Sequence, residues 1–361
     1  MIYLDYQATT PLAPEAREAM VHWLGHEDGF ANPHSPHRPG RAAAAAVEVA
    51  REQVAGLFPA GGKVIFTSGA TEALNLAIHG AKGQGGAAQV AVSAIEHAAV
   101  LDTAFAGGRR VQVLPVDAEG LVAADAWIEP GTGLAAVMRV NNEIGTVQPV
   151  TQLAEAAHAA GALFLCDAVQ GAGKLAPPQQ ADLIAISAHK LHGPKGIGAL
   201  WVRDGVELAP LIHGGGQEQG LRSGTLSPAL CAGFGAAAKL ALARRDEDAA
   251  HVETLWNRAR EILAHWTLNG SATRRWHGNL NLRRDGLDVA RLMSECRDIA
   301  FSAGSACASG SGRPSHVLSA IGLDAAAAKS SIRLGFGRYT RLREIEDACT
   351  RLNEAALAQG I

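Results

Sequence analysis

The 361-residue sequence predicts an α/β protein with a seven-stranded, mostly parallel sheet and a smaller α+β unit in its C-terminal part. Two observations lead to this prediction: short apolar runs alternate with helical patterns, and the pattern changes after about residue 245. Runs that are apolar throughout are typical of parallel strands whose two faces are both covered by helices. The seven predicted strands are residues 64–66, 90–92, 111–114, 134–138, 163–165, 183–186 and 199–202.

Helical periodicity fills the gaps between these runs. Residues 41–58 place Val47 and Val54 on one stripe, and residues 151–160 precede Gly161, a residue that commonly ends helices. These connections predict helices that pack on the sheet.

The C-terminal part of the chain has a different sequence pattern. A charged helical stretch at 244–266 leads into short strand-like runs at 279–282, 299–301 and 331–334, and into a last helix with Ile345 and Leu352 on one face. We therefore predict a large domain at 11–245 and a small domain made of 1–10 and 246–361, which carries a cysteine-bearing segment at 302–314.

Composition excludes several classes of protein. The net charge of −3 gives no sign of nucleic-acid binding, and no run of eighteen apolar residues predicts a membrane span. The N-terminus lacks the basic start and apolar core of a secretion signal. Five scattered cysteines without a Cys-x-x-Cys pair do not indicate a disulfide framework, so we expect a reducing, cytoplasmic setting.

Cys307 differs from the other cysteines. Cys166, Cys231, Cys296 and Cys349 each lie in an apolar run or on a helical face, where a thiol serves as a small core residue. Cys307 lies instead among glycines, serines and alanines that have neither a helical nor a strand period. This context indicates a nucleophile, a redox thiol or an incidental surface cysteine.

Polar residues follow the predicted strands, at the edge where open α/β sheets bind ligands. They are Glu96 and His97, Asn141 and Asn142, Asp167 and Gln170, and Ser187, His189 and Lys190. The first strand is followed by residues 67–73, which open a helix with small and hydroxyl residues. Such a start can hold a phosphate, although taken alone it is more typical of a Thr or Ser N-cap.

Aspartate after one strand and lysine after the next match the needs of pyridoxal phosphate. A lysine forms the Schiff base, and a carboxylate pairs with the pyridinium nitrogen. Lys190 is the better candidate because it closes its strand, whereas the turn around Lys195 would point that side chain outward. The histidine pairs at 34/37 and 189/192 have metal-like spacing but no evident third ligand, so no metal site is predicted.

Taken together, the motifs resemble the group I cysteine desulfurases of the NifS/IscS type, within the aminotransferase class V, fold-type I pyridoxal-phosphate enzymes. The resemblance covers almost the whole chain. It rests on residues 3–11, 32–33, 67–72, 141–145, 167–170, 187–190, 193–199, 214–218, 222–225, 305–307 and 330–333.

The resemblance implies a set of cofactor-binding residues. Lys190 would hold pyridoxal phosphate, Asp167 would pair with its ring nitrogen, and Gln170 would bind its ring hydroxyl. The others implied are His97, which would stack on the ring; Thr71, Ser187 and His189, which would hold the phosphate; Ala70; and Thr225, which would reach the phosphate of a partner subunit. Thr225 therefore implies a homodimer with shared active sites.

The resemblance also implies the reaction. Asn142 and Arg333 would bind the carboxylate of L-cysteine, and Cys307 would take its sulfur, leaving L-alanine and a Cys307 persulfide. The persulfide would pass to an acceptor protein of iron–sulfur cluster assembly or tRNA thiolation, and Cys307 would contact a cluster only during such transfer. We expect His97 to supply the proton acceptor or positive charge that Cys307 needs to ionise.

Other functions stay open at this point. A selenocysteine lyase, or another class V lyase or aminotransferase, would share the cofactor site, and a catalytically silent binding protein would share the fold. A transaminase needs no thiol, so Cys307 argues against that reading. The chain ends at Ile361, without the longer C-terminal extension that some relatives use to dock an iron–sulfur scaffold, so the acceptor is not predicted.

Overall fold

The computed structural model describes residues 1–25, 29–81, 89–304 and 315–361, which form two lobes around two main sheets. The helices are α1 Pro14–His22, α2 Arg38–Ala55, α3 Ala70–Gly80, α4 Ala98–Ala106, α5 Val150–Ala159, α6 Pro228–Ala243, α7 Arg245–Ile262, α8 Val289–Glu295, α9 His316–Ala320, α10 Ala325–Lys329 and α11 Leu342–Leu357. The strands are β1 Ile2–Tyr3, β2 Gly62–Thr67, β3 Gln89–Ser93, β4 Arg110–Leu114, β5 Thr132–Ala136, β6 Leu163–Asp167, β7 Leu183–Ser187, β8 Gly198–Arg203, β9 Thr267–Leu268, β10 Asn279–Arg283, β11 Ile299–Ala300, β12 Ser302–Ala303 and β13 Ser331–Gly335.

The large sheet confirms the predicted architecture. Its strand order is β2-β8-β7-β6-β5-β3-β4, and each of the seven predicted apolar runs corresponds to one of these strands. Strand β8 runs antiparallel to both of its neighbours, while the pairs from β7 to β4 are parallel. The one boundary error of note is in β5, which ends at Ala136, so Val137 and Met138 already belong to the following segment.

Helices cover both faces of this sheet, as near-continuous apolar strands require. One buried cluster joins the sheet to α1, α2, α5 and α6, and includes the predicted stripe residues Val47 and Val54. A second cluster joins the other face to α3 and α4. Leu57 belongs to the first cluster although it lies beyond the end of α2, because the chain after the helix still packs inward.

The small lobe is built around a four-stranded antiparallel sheet of order β12-β13-β10-β9, covered by α7 and α11. The run predicted as a strand at 299–301 forms β11, which pairs in parallel with β1 rather than joining that sheet. Leu4 packs in the core of this lobe. The helices α6 and α7 meet near Arg244 and belong to different cores, and the predicted domain boundaries stay predictions.

The four cysteines interpreted as packing residues are buried: Cys166 and Cys231 in the core of the large lobe, and Cys296 and Cys349 in that of the small lobe. Burial raises the pKa of the Cys231 and Cys349 thiols to about 12. These thiols therefore stay protonated and unreactive at neutral pH. Cys307 lies outside the described residues. Within the described ranges, no helix is both long and apolar enough to cross a membrane.

The N-terminal segment links the two lobes. Gly335 in β13 donates to Leu4 O at 2.8 Å, and Tyr6 N donates back to Gly335 O at 3.3 Å. Further along, Thr10 N donates to His189 O at 2.9 Å, and Ala13 enters the core of the large lobe. Residues 7 and 8 thereby lie between β13 and the turn that follows β7.

Gly335→Ala is expected to lower the free energy of unfolding by about 1–3 kcal/mol, the usual range for overpacking. A Cβ at this position would lie 1.7 Å from Gln7 Oε1 and 2.8 Å from Tyr6 N, so the N-terminal segment would have to shift. Chemical denaturation measures the change. Gly107→Ala is the matched control, because its Cβ would meet nothing closer than 3.6 Å. Equal stabilities of the two variants would contradict the prediction.

Candidate active site

A cavity of about 610 Å³ lies at the carboxyl ends of the parallel strands, between the large sheet and the small lobe. Ten of the predicted site residues line it: Ala70, Thr71, His97, Asn142, Asp167, Gln170, Ser187, His189, Lys190 and Arg333. Thr225 does not line it and is exposed. Cys307 lies outside the described residues.

The first turn of α3 forms one wall of the cavity. The predicted Thr or Ser N-cap is wrong: the cap residue is Gly69, and Thr67 donates its hydroxyl to Gly69 O at 2.8 Å instead of accepting from the helix. Glu72 turns back to accept from Ser68 N at 2.8 Å and pairs with Arg222 at 2.7 Å, so its charge is compensated. The first-turn amides at Ala70 and Thr71 thus border the cavity without a capping side chain, an arrangement that suits an anion.

Gly198 lets this wall approach the sheet closely. A Cβ at Gly198 would lie 2.7 Å from the carbonyl carbon of Gly69 and 2.6 Å from Ile186 O. Any larger residue would push the start of α3 away from β7 and β8. The absence of a side chain on the first residue of β8 therefore sets the shape of this wall.

Asp167 supplies a buried carboxyl at the end of β6. It is 6% exposed, and its Oδ1 accepts from Val169 N at 3.0 Å. Burial raises the pKa of Asp167, and the nearby His97 and Lys190 partly oppose that effect. A carboxyl in this position is stabilised in its charged form by a cationic N–H group placed in the cavity. The site therefore suits a protonated heterocyclic nitrogen.

Lys190 follows β7 in a short 3₁₀ turn formed by Ala188–Lys190, and it lines the cavity. Its Nζ donates to Gln7 O and, at 2.8 Å, to Ala8 O. Gln170 Nε2 also donates to Gln7 O, at 3.1 Å. Lys195 lies at the rim of the same cavity and is exposed, as its turn predicts.

Gln7 and Ala8 were not predicted as site residues, although they belong to a segment that carries the resemblance. Lys190 and Gln7 lie 183 residues apart in the sequence, and a local sequence pattern cannot predict a contact between residues so far apart. The sequence signal for Gln7 was weak, because it is one polar residue four positions after the end of β1. The structure makes Gln7 and Ala8 the acceptors that orient the Lys190 amine.

The histidines with metal-like spacing have other partners. His189 Nδ1 lies 3.1 Å from Thr9 Oγ1, and burial followed by the charges of Lys190 and Lys195 lowers its pKa to about 4. It is therefore neutral at physiological pH. His192 Nδ1 bonds to Pro11 O at 2.9 Å, and His37 caps α2 by accepting from Gly40 N. Across the described ranges, no group of three or more His, Cys, Asp or Glu side chains is placed to hold a metal ion.

His97 is fixed by the helix that it precedes. It is the N-cap of α4, and its Nδ1 accepts from Ala99 N at 3.0 Å. A ring nitrogen that accepts carries no proton, so the neutral ring carries its proton on Nε2. His97 can therefore present an N–H donor to the cavity, and accepting a proton at Nε2 would require the ring to give up its cap.

Glu96, which precedes His97, is fully buried and takes no part in the cavity surface. Its Oε1 accepts from Met138 N at 2.9 Å and from the Ser93 hydroxyl. Burial, and to a lesser degree Asp167, raise the pKa of Glu96 to about 8. This neutral carboxyl ties the turn after β3 to the segment after β5 and so holds His97 in place.

Arg333 in β13 supplies a nearly buried guanidinium on the opposite side of the cavity, with 3% of its surface exposed. Its Nη1 donates to Asn142 O at 3.0 Å, and its Nη2 donates to Asp5 Oδ1 at 2.9 Å and to Ser302 Oγ at 3.2 Å. Its buried Nε has no hydrogen-bond partner in the part of the chain that the structure describes. Asp5 was not predicted as a site residue, because its contact with Arg333 spans 328 residues.

Ser302 connects this guanidinium to the cysteine-bearing segment. It lies opposite Arg333 in the pairing of β12 with β13, and β12 leads directly into residues 305–314. At the other end of that segment, Ser315 donates its hydroxyl to Glu143, the neighbour of Asn142. Both described ends of the segment are thus anchored beside the two predicted substrate-binding residues.

Comparisons with known proteins identify the family of this chain. The family model described as Aminotransferase class-V matches residues 2–347. Cysteine desulfurase IscS of Rickettsia akari is 42% identical over 98% of this chain and 91% of its own length, and the mitochondrial cysteine desulfurase of Drosophila melanogaster is 43% identical over 97% and 80%. A solved structure described as SspA in complex with cysteine superposes with a TM-score of 0.80 at 36% identity, covering 94% of this chain and 100% of that one.

Proposed function

This chain belongs to the aminotransferase class-V family, and on that premise we propose that it is a cysteine desulfurase that uses pyridoxal phosphate. The reaction removes sulfur from L-cysteine and yields L-alanine and a persulfide on Cys307. Two kinds of support combine: relatives named cysteine desulfurase over nearly the whole chain, and a cavity whose polar groups match the needs of the reaction.

The described residues fit the cofactor. The uncapped start of α3 suits its phosphate, the buried Asp167 carboxyl suits its ring nitrogen, and Lys190 supplies the amine. When bound, pyridoxal phosphate acts as an electron sink for a substrate joined to it. His189, which is neutral, contributes a polar group to the phosphate side without adding charge.

One observation carries the assignment to desulfuration rather than transamination. The segment that bears Cys307 leaves β12 directly beside Arg333 and returns at Ser315, which binds Glu143 next to Asn142. A substrate carboxylate held by Arg333 and Asn142 therefore lies between the two anchors of a thiol-bearing segment. A transaminase has no use for that thiol, and a desulfurase requires it.

The sulfur step can be written from the groups available. The Cys307 thiolate attacks the substrate sulfur, a sulfur–sulfur bond forms, and the Cβ–Sγ bond of the substrate breaks. The electron pair of that bond goes to carbon, which takes a proton on the way to alanine. Lys190 would leave its acceptors, the carbonyl groups of Gln7 and Ala8, and its amine would then move the Cα proton of the substrate.

His97 takes a narrower role than the sequence predicts. With Nδ1 engaged by Ala99 N, the ring offers an Nε2–H donor, so we assign it to stabilising negative charge by donating a hydrogen bond rather than to accepting a proton from Cys307. The deprotonation of Cys307 is then left to another group or to solvent.

We also propose that the protein interacts with a second copy of itself and with a sulfur-acceptor protein. Thr225 is exposed and away from the cavity, as a residue that serves a partner subunit would be, and we propose a homodimer on that basis. A sulfur-acceptor protein would receive the persulfide. The expected cytoplasmic location stays a prediction, since one similar protein is described as mitochondrial.

The function is tested by incubating the purified protein with L-cysteine and a thiol reductant, and by measuring alanine and sulfide together. Equimolar alanine and sulfide support the desulfurase. Keto-acid formation without sulfide would indicate an aminotransferase, and selenide release from L-selenocysteine without activity on L-cysteine would indicate a selenocysteine lyase. A protein that lacks both visible absorbance and products would be a silent family member.

Arg333→Lys is expected to raise KM for L-cysteine by about 10–100-fold with a smaller change in kcat. This corresponds to losing one charge-assisted hydrogen bond and the planar fork that suits a carboxylate. Steady-state kinetics measure the two constants. Arg283→Lys, on the adjacent strand β10, is the matched control and should change neither. An unchanged KM in Arg333→Lys would remove this residue from substrate binding.

A further inference from the structure

A second, smaller cavity lies at the junction of the two lobes, with a volume of about 40 Å³. Its charged and titratable lining consists of Tyr6, Lys174, His192, Arg245, Asp248 and Arg338. We call it the junction cavity. Gln7 lines both this cavity and the active-site cavity.

Arg338 places an unused donor in the junction cavity. Its side chain is 5% exposed, and its Nε and Nη2 both bind the same oxygen, Asp248 Oδ2, at 2.9 and 2.6 Å. Its Nη1 is buried and has no hydrogen-bond partner among the residues that the structure describes. A buried guanidinium N–H without an acceptor is costly, so an acceptor in the cavity would stabilise the fold.

Lys174 adds a cation that the surrounding protein does not neutralise. Within the described part of the chain it forms no ion pair, and its ammonium lies 5.9 Å from the centre of the Trp276 ring. Burial, followed by the charge of Lys190, lowers the pKa of Lys174 to about 7. The ammonium thus lacks the negative partner that would keep it fully charged at neutral pH.

The charge balance of the lining is positive. Asp248 is the carboxylate of the cavity and is already bound to Arg338, while Arg245 lies 3.6 Å from Asp246, a residue on the surface. Burial and the charges of Arg338 and Lys174 lower the pKa of His192 to about 4, which places the three side chains in one electrostatic environment. A small enclosed space with more cations than anions favours an anion.

We propose that the junction cavity is a binding site for a small inorganic anion of halide size, held by Arg338 Nη1 and the Lys174 ammonium. Its volume of about 40 Å³ exceeds the roughly 10–15 Å³ needed to hold one water molecule, so the cavity has room for a small anion. A water molecule could accept from Nη1 but would leave the charge of Lys174 unbalanced. This site is separate from the proposed reaction and does not depend on it.

The direct test is crystallography of the holoenzyme with bromide replacing chloride. Anomalous scattering at the bromine edge should show a peak in the junction cavity, between Arg338 and Lys174. A peak that is absent there, or density that refines as water without anomalous signal, would overturn the proposal. The wild-type protein decides this point without any variant.

A solution experiment tests the same site independently of crystal conditions. The thermal midpoint of the holoenzyme is followed at constant ionic strength while chloride replaces gluconate, which is too large for the cavity. We expect a saturable rise of about 2 °C or more, because a ligand that binds only the folded state stabilises it. Equal midpoints in the two salts would contradict the proposal.

Two variants locate the effect. Lys174→Met removes the charge and keeps the length of the side chain, so both the chloride response and the bromide peak should be lost. Lys239→Met removes an exposed lysine of α6 and should behave like the wild type. If Lys174→Met folds poorly, Lys174→Gln serves in its place, since an amide keeps a polar head without the charge. A chloride response that persists in the Lys174 variant would place the anion elsewhere.

Discussion

Lys190→Ala is expected to reduce kcat for L-cysteine desulfuration by about 10³-fold or more. A positioned acid–base group alone contributes about 10²–10⁴-fold to a rate. The reason is twofold. The variant loses the amine that would hold the cofactor and also the group nearest to the site of proton transfer. In the structure this amine is oriented by the carbonyl groups of Gln7 and Ala8.

The readouts for Lys190→Ala are activity and the amount of cofactor that stays covalently attached to the protein after borohydride treatment. The wild type should retain the cofactor covalently after reduction and denaturation, and the variant should not. Lys195→Ala is the informative comparison, because Lys195 lines the same cavity but is exposed at its rim. Covalent retention in Lys190→Ala that is lost in Lys195→Ala would reverse the assignment of the two lysines.

Cys307→Ser is the second large effect, with sulfide release expected to fall by about 10³-fold, because a hydroxyl is a far weaker nucleophile than a thiol at neutral pH. Cofactor absorbance and its change on adding L-cysteine should persist, since Cys307 holds neither the cofactor nor the substrate carboxylate. The two measurements together separate loss of sulfur transfer from loss of binding.

Cys296→Ala is the matched control for Cys307→Ser. Cys296 is 4% exposed in the core of the small lobe, so its removal should lower the thermal midpoint while leaving the rate of sulfide release near that of the wild type. Normal sulfide release by Cys307→Ser would show that the acceptor thiol lies elsewhere. In that case the anchoring of residues 302 and 315 beside the substrate pair would need another explanation.

Local patterns made the large sheet predictable. Each strand of that sheet contains a mainly apolar run, and the predicted site residues follow these runs within a few positions, so Asp167 and Lys190 could be placed at the sheet edge from sequence. The cap of α3 was missed because Thr67 and Gly69 satisfy each other across the turn, which propensities do not encode.

The missed parts of the site depend on contacts between distant residues. Asp5 with Arg333, and Gln7 with Lys190, join segments separated by 328 and 183 residues. The pairing of β11 with β1 belongs to the same class, since its register comes from packing of the small lobe and not from the composition of either strand. Such contacts require the three-dimensional path of the chain.

The path of the N-terminal segment has a consequence for biosynthesis. Asp5 leaves the ribosome 328 residues before its partner Arg333, which at about 5–20 residues per second corresponds to a wait of roughly 15 to 65 seconds. During that interval the large lobe can form its sheet, but Leu4 lacks the core that later buries it. The segment around Asp5 is therefore fixed late, and the Arg333 side of the cavity is completed only after β13 has been synthesised.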